Sequence, residues 1–230
     1  THRAEIDVSC EACHGPASHH LIWARRNAGH EQIDGATKGL TLQLDERRNV
    51  NRDVNPASGN TRRDLAGRSS KEIQTCGRCH SRRTPLFDDS KPGQLLESQI
   101  KDEVYEYGSF VQSKMYQAGV ICSDCHEPHS LKLRVDGNGV CLQCHAGDKY
   151  DTEVHHFHPK SAGSGCVDCH MPVRTYMIVD TRRDHQFSIP RPHLAAKIGA
   201  PDACTACHAD RTPQWAADNL RKWYGDDPGG

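Results

Sequence analysis

The chain has few of the large apolar residues from which a soluble protein usually builds its core. Leu, Ile, Val and Phe together account for 38 of 230 residues. This share lies below the roughly 20% under which a chain usually cannot fold on buried apolar surface alone. Two further large apolar residue types, Met and Trp, occur only 3 times each. Something other than side chains must therefore supply much of the interior.

Long apolar runs and targeting segments are also lacking. No run approaches the roughly 20 residues of a membrane span, so we expect no span within this chain. The sequence has neither an initiator Met nor a signal-peptide pattern, as expected for a processed or truncated product. The arginine-rich stretch 45–68 has no phosphate-cradling glycine loop. We interpret it as a polar loop rather than a nucleic-acid site.

All 12 cysteines, in contrast, belong to six copies of one motif, Cys-x-x-Cys-His. Their cysteines are Cys10 and Cys13, Cys76 and Cys79, Cys122 and Cys125, Cys141 and Cys144, Cys166 and Cys169, and Cys204 and Cys207. The histidines that follow are His14, His80, His126, His145, His170 and His208. This motif is the attachment signal of c-type haem. The two thiols form thioethers with the porphyrin, and the histidine ligates the iron as the proximal ligand.

Other cysteine chemistries fit the pattern less well. Structural zinc sites, thioredoxin-like redox centres and disulfide frameworks also use paired cysteines. None of them needs a histidine directly after the second cysteine, yet it is present in all six copies. We therefore predict six haem c groups, and we expect the chain without haem to be largely unfolded.

The predicted fold is mainly α with extensive irregular loops, a haem core and little β structure. We expect one hexahaem unit over residues 1–230, with a weak boundary near 49–67. Each motif should form a short helical turn. Apolar spacing predicts a helix over 94–118, and Thr212 with Pro213 predicts a second helix that ends at Gly225. Residues 176–179 are predicted to form a strand.

Ten further histidines are candidates for the distal side of the irons, and neutral imidazole suits that position. From sequence context the stronger candidates are His20, with His19 competing, His129, two of the three histidines His155, His156 and His158, and His185. The weaker ones are His2, His30 and His193. The three methionines are outnumbered and are not expected to be ligands.

Several segments resemble the multihaem cytochromes that precede tetratricopeptide arrays. They are residues 8–16, 107–110, 128–131, 166–172, 174–177, 182–185, 189–192 and 214–217. The resemblance implies a stacked-haem architecture similar to the cytochrome c nitrite reductase and hydroxylamine oxidoreductase superfamily. It also implies distal ligation by His20, His129, His156, His158 and His185. The chain departs from the pattern in two ways: residues 95–98 lack a histidine that relatives often carry, and no motif ends in lysine.

These patterns predict an electron carrier with mostly bis-histidine haems rather than an enzyme. Because haem c is assembled outside the cytoplasmic membrane, we expect a periplasmic or extracellular location. Redox proteins are the expected partners. Assembly into an extracellular filament, with His2 or His30 reaching a neighbouring subunit, is a further hypothesis. The alternatives are a reductase of a small nitrogen or sulfur oxyanion with one open haem, and a redox sensor or docking module.

Overall fold

Short helices joined by loops dominate the fold. The computed structural model describes residues 8–28, 37–48, 50–64, 68–81, 106–160, 162–176 and 178–226. In these ranges the helices are α1 (Cys10–His14), α2 (Ser18–Asn27), α3 (Lys71–His80), α4 (Glu106–Val111), α5 (Lys114–Gln117), α6 (Cys122–Cys125), α7 (Gly139–Leu142), α8 (Gly147–Tyr150), α9 (Glu153–His156), α10 (Cys166–His170), α11 (Pro192–Ile198), α12 (Ala203–Cys207) and α13 (Pro213–Tyr224). Each motif lies on or begins in one of them, as predicted.

In the described ranges, the strands form three small antiparallel hairpins. They pair β1 (Arg52–Asn55) with β2 (Asn60–Arg63), β3 (His126–Glu127) with β4 (Lys132–Leu133), and β5 (Val173–Tyr176) with β6 (Asp180–Arg183). The predicted strand at 176–179 is wrong, because Ile178 and Val179 lie in the connection between β5 and β6. Ile178 has φ +72° there, which an extended strand does not allow. The fold class, mainly helix and loop with little strand, is confirmed.

The two predicted helices have different outcomes. Helix α13 forms as expected: the Thr212 hydroxyl accepts a hydrogen bond from the Trp215 amide at 3.2 Å, and Pro213 occupies the first turn. The helix predicted over 94–118 falls partly on residues outside the described ranges. Its described part is two short helices, α4 and α5. Ser113 starts the second one, because its side chain caps the Tyr116 amide at 3.0 Å.

The stretch 45–68 is more ordered than the polar loop that we predicted. It contains the β1–β2 hairpin, which docks against the fourth motif. The Thr61 amide donates to the Cys144 carbonyl at 2.8 Å, and the Ala146 amide donates to the Gly59 carbonyl at 2.9 Å. These backbone bonds tie the region of the predicted weak boundary to the segment around His145.

Among the described residues, the buried side-chain core is small. One buried cluster contains Ile73, Tyr107 and Phe110, with Tyr116 and Phe187 packed against it. Many large apolar side chains lie at the surface instead, such as those of Val154 and Ile178. So small a cluster agrees with the expectation that porphyrin rings supply most of the apolar interior.

Candidate haem-binding sites

The local sequence fixes the turn on which each cysteine pair lies. Residues three apart on a helical turn point to one side, so both thiols of a motif can reach one porphyrin. In the sixth motif, the Asp202 side chain caps α12 by accepting from the amides of Cys204 at 2.9 Å and Thr205 at 3.0 Å. In the third motif, Asp124 plays a related role by accepting from the Ile121 amide at 3.1 Å.

Four of the six motif histidines face a second imidazole ring. The pairs are His14 with His129, His126 with His185, His170 with His155, and His208 with His158. Their ring centres are 6.2, 6.3, 6.2 and 6.2 Å apart, with interplanar angles of 5°, 28°, 14° and 34°. The four separations therefore agree to within 0.1 Å.

This separation matches an ion held between two imidazoles. Two metal–nitrogen bonds of about 2.0 Å, and about 1.1 Å from each ligating nitrogen to its ring centre, add up to about 6.2 Å. Aromatic contacts in general span roughly 4.5–7 Å, so it is the shared value of the four separations that points to a common occupant. The residues present thus fit an iron at the midpoint of each pair.

Hydrogen bonds on the outer ring nitrogen orient many of these histidines. The Nδ1 atoms lie 3.2 Å from the Leu42 carbonyl for His14, 3.1 Å from Glu127 Oε1 for His129, 2.5 Å from the His156 carbonyl for His158, 3.0 Å from the Ser188 carbonyl for His170, and 3.0 Å from the Arg183 carbonyl for His185. An acceptor at Nδ1 fixes the proton there. The lone pair on Nε2 is then free for a metal.

Burial also favours the neutral form of three of the rings. It is the largest cause that lowers the pKa of His126, His145 and His155, and neighbouring histidines add to it. A neutral imidazole is the form that ligates iron.

The remaining candidates are placed differently. In the described part of the chain, no second imidazole faces His80 or His145. The ring of His145 contacts Tyr150, and that of His20 contacts Trp23. His20 Nδ1 lies 2.7 Å from the Lys38 carbonyl, and His145 Nδ1 lies 2.6 Å from Asn60 Oδ1. His2 and His30 fall outside the described ranges.

His156 differs from its neighbour His155. The ring that faces His170 is that of His155, whereas the resemblance implied His156. His156 Nδ1 accepts a hydrogen bond from the His158 amide at 3.2 Å. Its Nε2 is buried and has no hydrogen-bond partner among the described residues. Sequence context predicted that two of the three clustered histidines are distal ligands. In the structure, the turn at Phe157 lies between His156 and His158.

The third motif is held by a dense polar network. Asp124 is contacted by Arg47 at 3.7 Å, Arg63 at 3.6 Å and Arg52 at shorter range. Glu72, on the helix of the second motif, accepts from both the amide and the hydroxyl of Ser123 at 2.7 Å. The sequence hinted at only one of these residues, since aspartate precedes the second cysteine in both the third and the fifth motif.

Neighbouring motifs contact one another in sequence order. Burial, followed by nearby Cys76 and Cys79, raises the pKa of the Cys13 thiol, so the first motif lies beside the second. The bonds from Ser123 to Glu72 join the second motif to the third.

The later motifs continue this order. Gln143 Nε2 donates to the Asp124 carbonyl at 3.4 Å, which joins the third to the fourth. The Cys166 amide donates to Asn138 Oδ1 at 2.9 Å, which joins the fourth to the fifth. Helices α10 and α12 pack together and join the fifth to the sixth.

Geometry also separates these sites from zinc centres. In the described ranges, no three His, Cys, Asp or Glu side chains converge to hold one metal ion. A structural zinc site brings four such ligands together. The observed arrangement is two rings per site, with the motif cysteines beside them.

Comparison with known proteins points to the same class. Residues 114–150, which hold the third and fourth motifs, match the family model described as "Doubled CXXCH motif". The chain is 24% identical to the multihaem cytochrome MtrA of Shewanella baltica over 89% of this chain and 43% of that protein. It is 27% identical to the dissimilatory sulfite reductase MccA of Wolinella succinogenes over 47% of this chain and 20% of that one. The chain thus spans less than half the length of these relatives.

The fold matches a solved structure. The outer cell wall cytochrome OcwA superposes with a TM-score of 0.52 at 17% identity, over 98% of this chain and 59% of OcwA. The chain therefore has the fold of a multihaem c-type cytochrome, and its motifs support haem c as the cofactor. The narrower resemblance to the nitrite reductase and hydroxylamine oxidoreductase superfamily, and to tetratricopeptide-linked cytochromes, stays a prediction. No described helix is both long and apolar enough to cross a membrane.

Proposed function

We propose that this chain transfers electrons through six covalently attached haems c. The observation that carries the proposal is the set of four histidine pairs at 6.2–6.3 Å. Two imidazoles leave no open position on an iron, so such a haem exchanges electrons and does little bond chemistry. The protein supplies the ligands, the attachment thiols and the interior in which the haems sit.

The six motifs supply one set of ligands, which would be His14, His80, His126, His145, His170 and His208. The facing rings supply the other set, which would include His129, His155, His158 and His185. We assign His155 rather than His156, because the ring of His155 lies opposite that of His170, with the ring centres 6.2 Å apart. His20 and His30 stay candidates for the haems of the second and fourth motifs.

The contacts between successive motifs support a path for electrons from the first motif to the sixth. Cys10 in the first motif, Cys79 in the second and Cys207 in the sixth are exposed, whereas the cysteines of the three motifs between Cys122 and Cys169 are partly covered. Redox partners would therefore meet the ends of the path more readily than its middle. The proposed location is periplasmic or extracellular, because haem c is attached outside the cytoplasmic membrane.

The mass and the electron paramagnetic resonance spectrum of the purified holoprotein test this proposal. We expect six haems per chain by mass and, in the oxidised protein, low-spin ferric signals from at least four of them. Fewer haems than motifs would contradict the cofactor count. High-spin signals from most haems would contradict bis-histidine ligation.

A second candidate function is reduction of a small sulfur or nitrogen oxyanion at an open haem. It is favoured by His80 and His145, which face no second imidazole in the described part of the chain, and by the similarity to a protein named as a sulfite reductase. Beside His80 lie Glu106 Oε2, 3.8 Å from Nδ1, and Arg182, 3.7 Å from the same carboxylate. A high-spin signal that disappears on addition of sulfite or nitrite would favour this function over the carrier.

We also propose that copies of this electron carrier assemble into filaments. A path with exposed ends suits head-to-tail contacts between subunits, which do not close into a ring. Electron microscopy at high protein concentration tests this, with filaments as the expected result. Uniform single particles would contradict it.

A further inference from the structure

Two buried carboxylates lie beside each other between the second and third motifs, in opposite surroundings. Asp124 is 7% exposed and contacts three arginines. Glu72 is 5% exposed, and its two oxygens accept only from the amide and the hydroxyl of Ser123, both uncharged donors. Glu72 is therefore a buried carboxylate that, among the described residues, has no cationic partner.

The position of Glu72 links it to two haem attachment sites. It lies one helical turn before Cys76 on α3, and its acceptor contacts reach Ser123, which follows Cys122. A hydrogen bond with Cys76, burial, and the charges of Cys76 and Glu72 together raise the pKa of the Cys122 thiol. The Glu72 charge is thus within electrostatic range of the sulfur atoms that carry both haems.

Groups on the neighbouring elements do not neutralise Glu72. Glu46 lies on the loop 37–48 and accepts from the Glu72 amide at 3.0 and 3.1 Å, so it brings a second negative charge. Asp124, on α6, brings a third. Burial first, and then these two carboxylates, raise the pKa of Glu72, while the two bonds from Ser123 oppose the rise.

Three arginines of the described ranges, Arg47, Arg52 and Arg63, contact Asp124 rather than Glu72. His80, at the far end of α3, faces Glu106, a residue of the adjacent helix α4.

We propose that Glu72 takes up a proton when the haem of the second or third motif is reduced, so that electron transfer at this point is coupled to proton binding. The inference rests on the proposed function. With haem bound, a redox partner would supply one electron to the group, and the Glu72 carboxylate would accept one proton from the buffered solvent to form the neutral acid. The added electron lowers the local charge by one, and the proton restores it.

The sign of the pH effect follows from this balance. Reduction makes the surroundings more negative, so the proton is held more tightly in the reduced protein than in the oxidised one. Between the two pKa values of Glu72, the reduction potential of the coupled haem therefore falls as pH rises. Outside that range the potential is independent of pH.

The test is a potentiometric titration of the holoprotein at several pH values, with Glu72→Gln as the variant. Glutamine preserves both contacts, since its oxygen can accept from the Ser123 amide and its NH₂ can donate to the Ser123 hydroxyl. We expect one or two haems of the native protein to show a pH-dependent potential. In the variant the same haems should have a higher potential that no longer changes with pH.

Asp218→Asn, on the exposed face of α13, is the matched control and should keep the native pH dependence. A second readout is the infrared difference between the reduced and oxidised proteins, in which a protonated carboxyl band should appear in the native protein and be absent from Glu72→Gln. If the variant keeps both the pH dependence and the band, the proposal is overturned. Because the haem count and spin states are measured separately, that failure would leave the proposed function intact.

Discussion

The third and fifth motifs share the pattern Cys-x-Asp-Cys-His and form similar short helices, but they lie in different surroundings. In the third, Asp124 is buried among three arginines. In the fifth, the Asp168 side chain is 42% exposed and contacts one arginine, Arg183, at 3.3 Å. The local sequence therefore determines the helical turn of each motif. Contacts from distant parts of the chain determine how strongly that turn is held in the fold.

The imidazole rings that face the motif histidines show the same difference between distant and local contacts. His126, of the third motif, faces His185, which follows β6 far along the chain. His170, of the fifth motif, faces His155, which lies on α9 shortly before it. An iron at the third motif would join remote segments, and an iron at the fifth would close a short loop. We expect the third motif to contribute more to stability.

Removal of the attachment cysteines should give the largest effect. We expect Cys122→Ala with Cys125→Ala to lower the free energy of unfolding by at least about 5 kcal/mol, on the order of the whole stability of a small protein. The reason is that the haem of the third motif would form part of the apolar core, at a buried site. Cys166→Ala with Cys169→Ala should cost roughly half as much. Urea titration followed by haem absorbance, with limited proteolysis, measures both losses.

Equal losses in the two double variants would show that tertiary context does not distinguish the motifs. Haem counting by mass is the control for this experiment. Each variant must carry one haem fewer than the native protein for the comparison to hold.

Removal of the facing histidines should change the free energy of unfolding less than removal of the cysteines does. It should also change the spin state of one haem. We expect His185→Ala and His155→Ala each to convert one low-spin ferric haem to high spin. His185→Ala should also lower the free energy of unfolding by about 1 kcal/mol more than His155→Ala, because the chain loop that its iron closes is longer. Electron paramagnetic resonance and urea titration measure the two quantities.

His156→Ala is the control, since its Nδ1 accepts from the His158 amide and its ring faces no proximal histidine. It should leave the number of low-spin haems unchanged. A high-spin haem in His156→Ala, together with an unchanged spectrum in His155→Ala, would reverse the ligand assignment.

The sequence allowed prediction of the local features and much less of the distant ones. The Cys-x-x-Cys-His pattern predicts short motif helices, and Thr212 with Pro213 predicts α13, because each depends on neighbouring residues. His129, His158 and His185 were selected from their context and do face motif histidines.

The choice between His155 and His156 depended on a left-handed residue at Phe157, with φ +52°, which no local pattern indicated. The strand at 176–179 failed because its apolar residues form an exposed hairpin tip. The arginines around Asp124 could not be predicted, because two of them, Arg52 and Arg63, lie on the β1–β2 hairpin. The sequence predicts a polar loop there. Contacts of this kind join segments that are far apart in sequence, so neither composition nor periodicity reveals them.

The shared aspartate offers a further comparison of the two motifs. Asp124→Asn removes the charge that Arg47, Arg52 and Arg63 surround, and we expect it to cost about 3 kcal/mol, as for one partner of a buried ion pair. Asp168→Asn should cost less than about 1 kcal/mol, because solvent screens a half-exposed pair. Urea titration at low and high salt measures both. The Asp168 effect should fade with salt, whereas the Asp124 effect should persist, since salt screens buried charges much less. Equal costs, or an Asp124 effect lost at high salt, would show that the arginine cluster is solvated and that the two motifs are held alike.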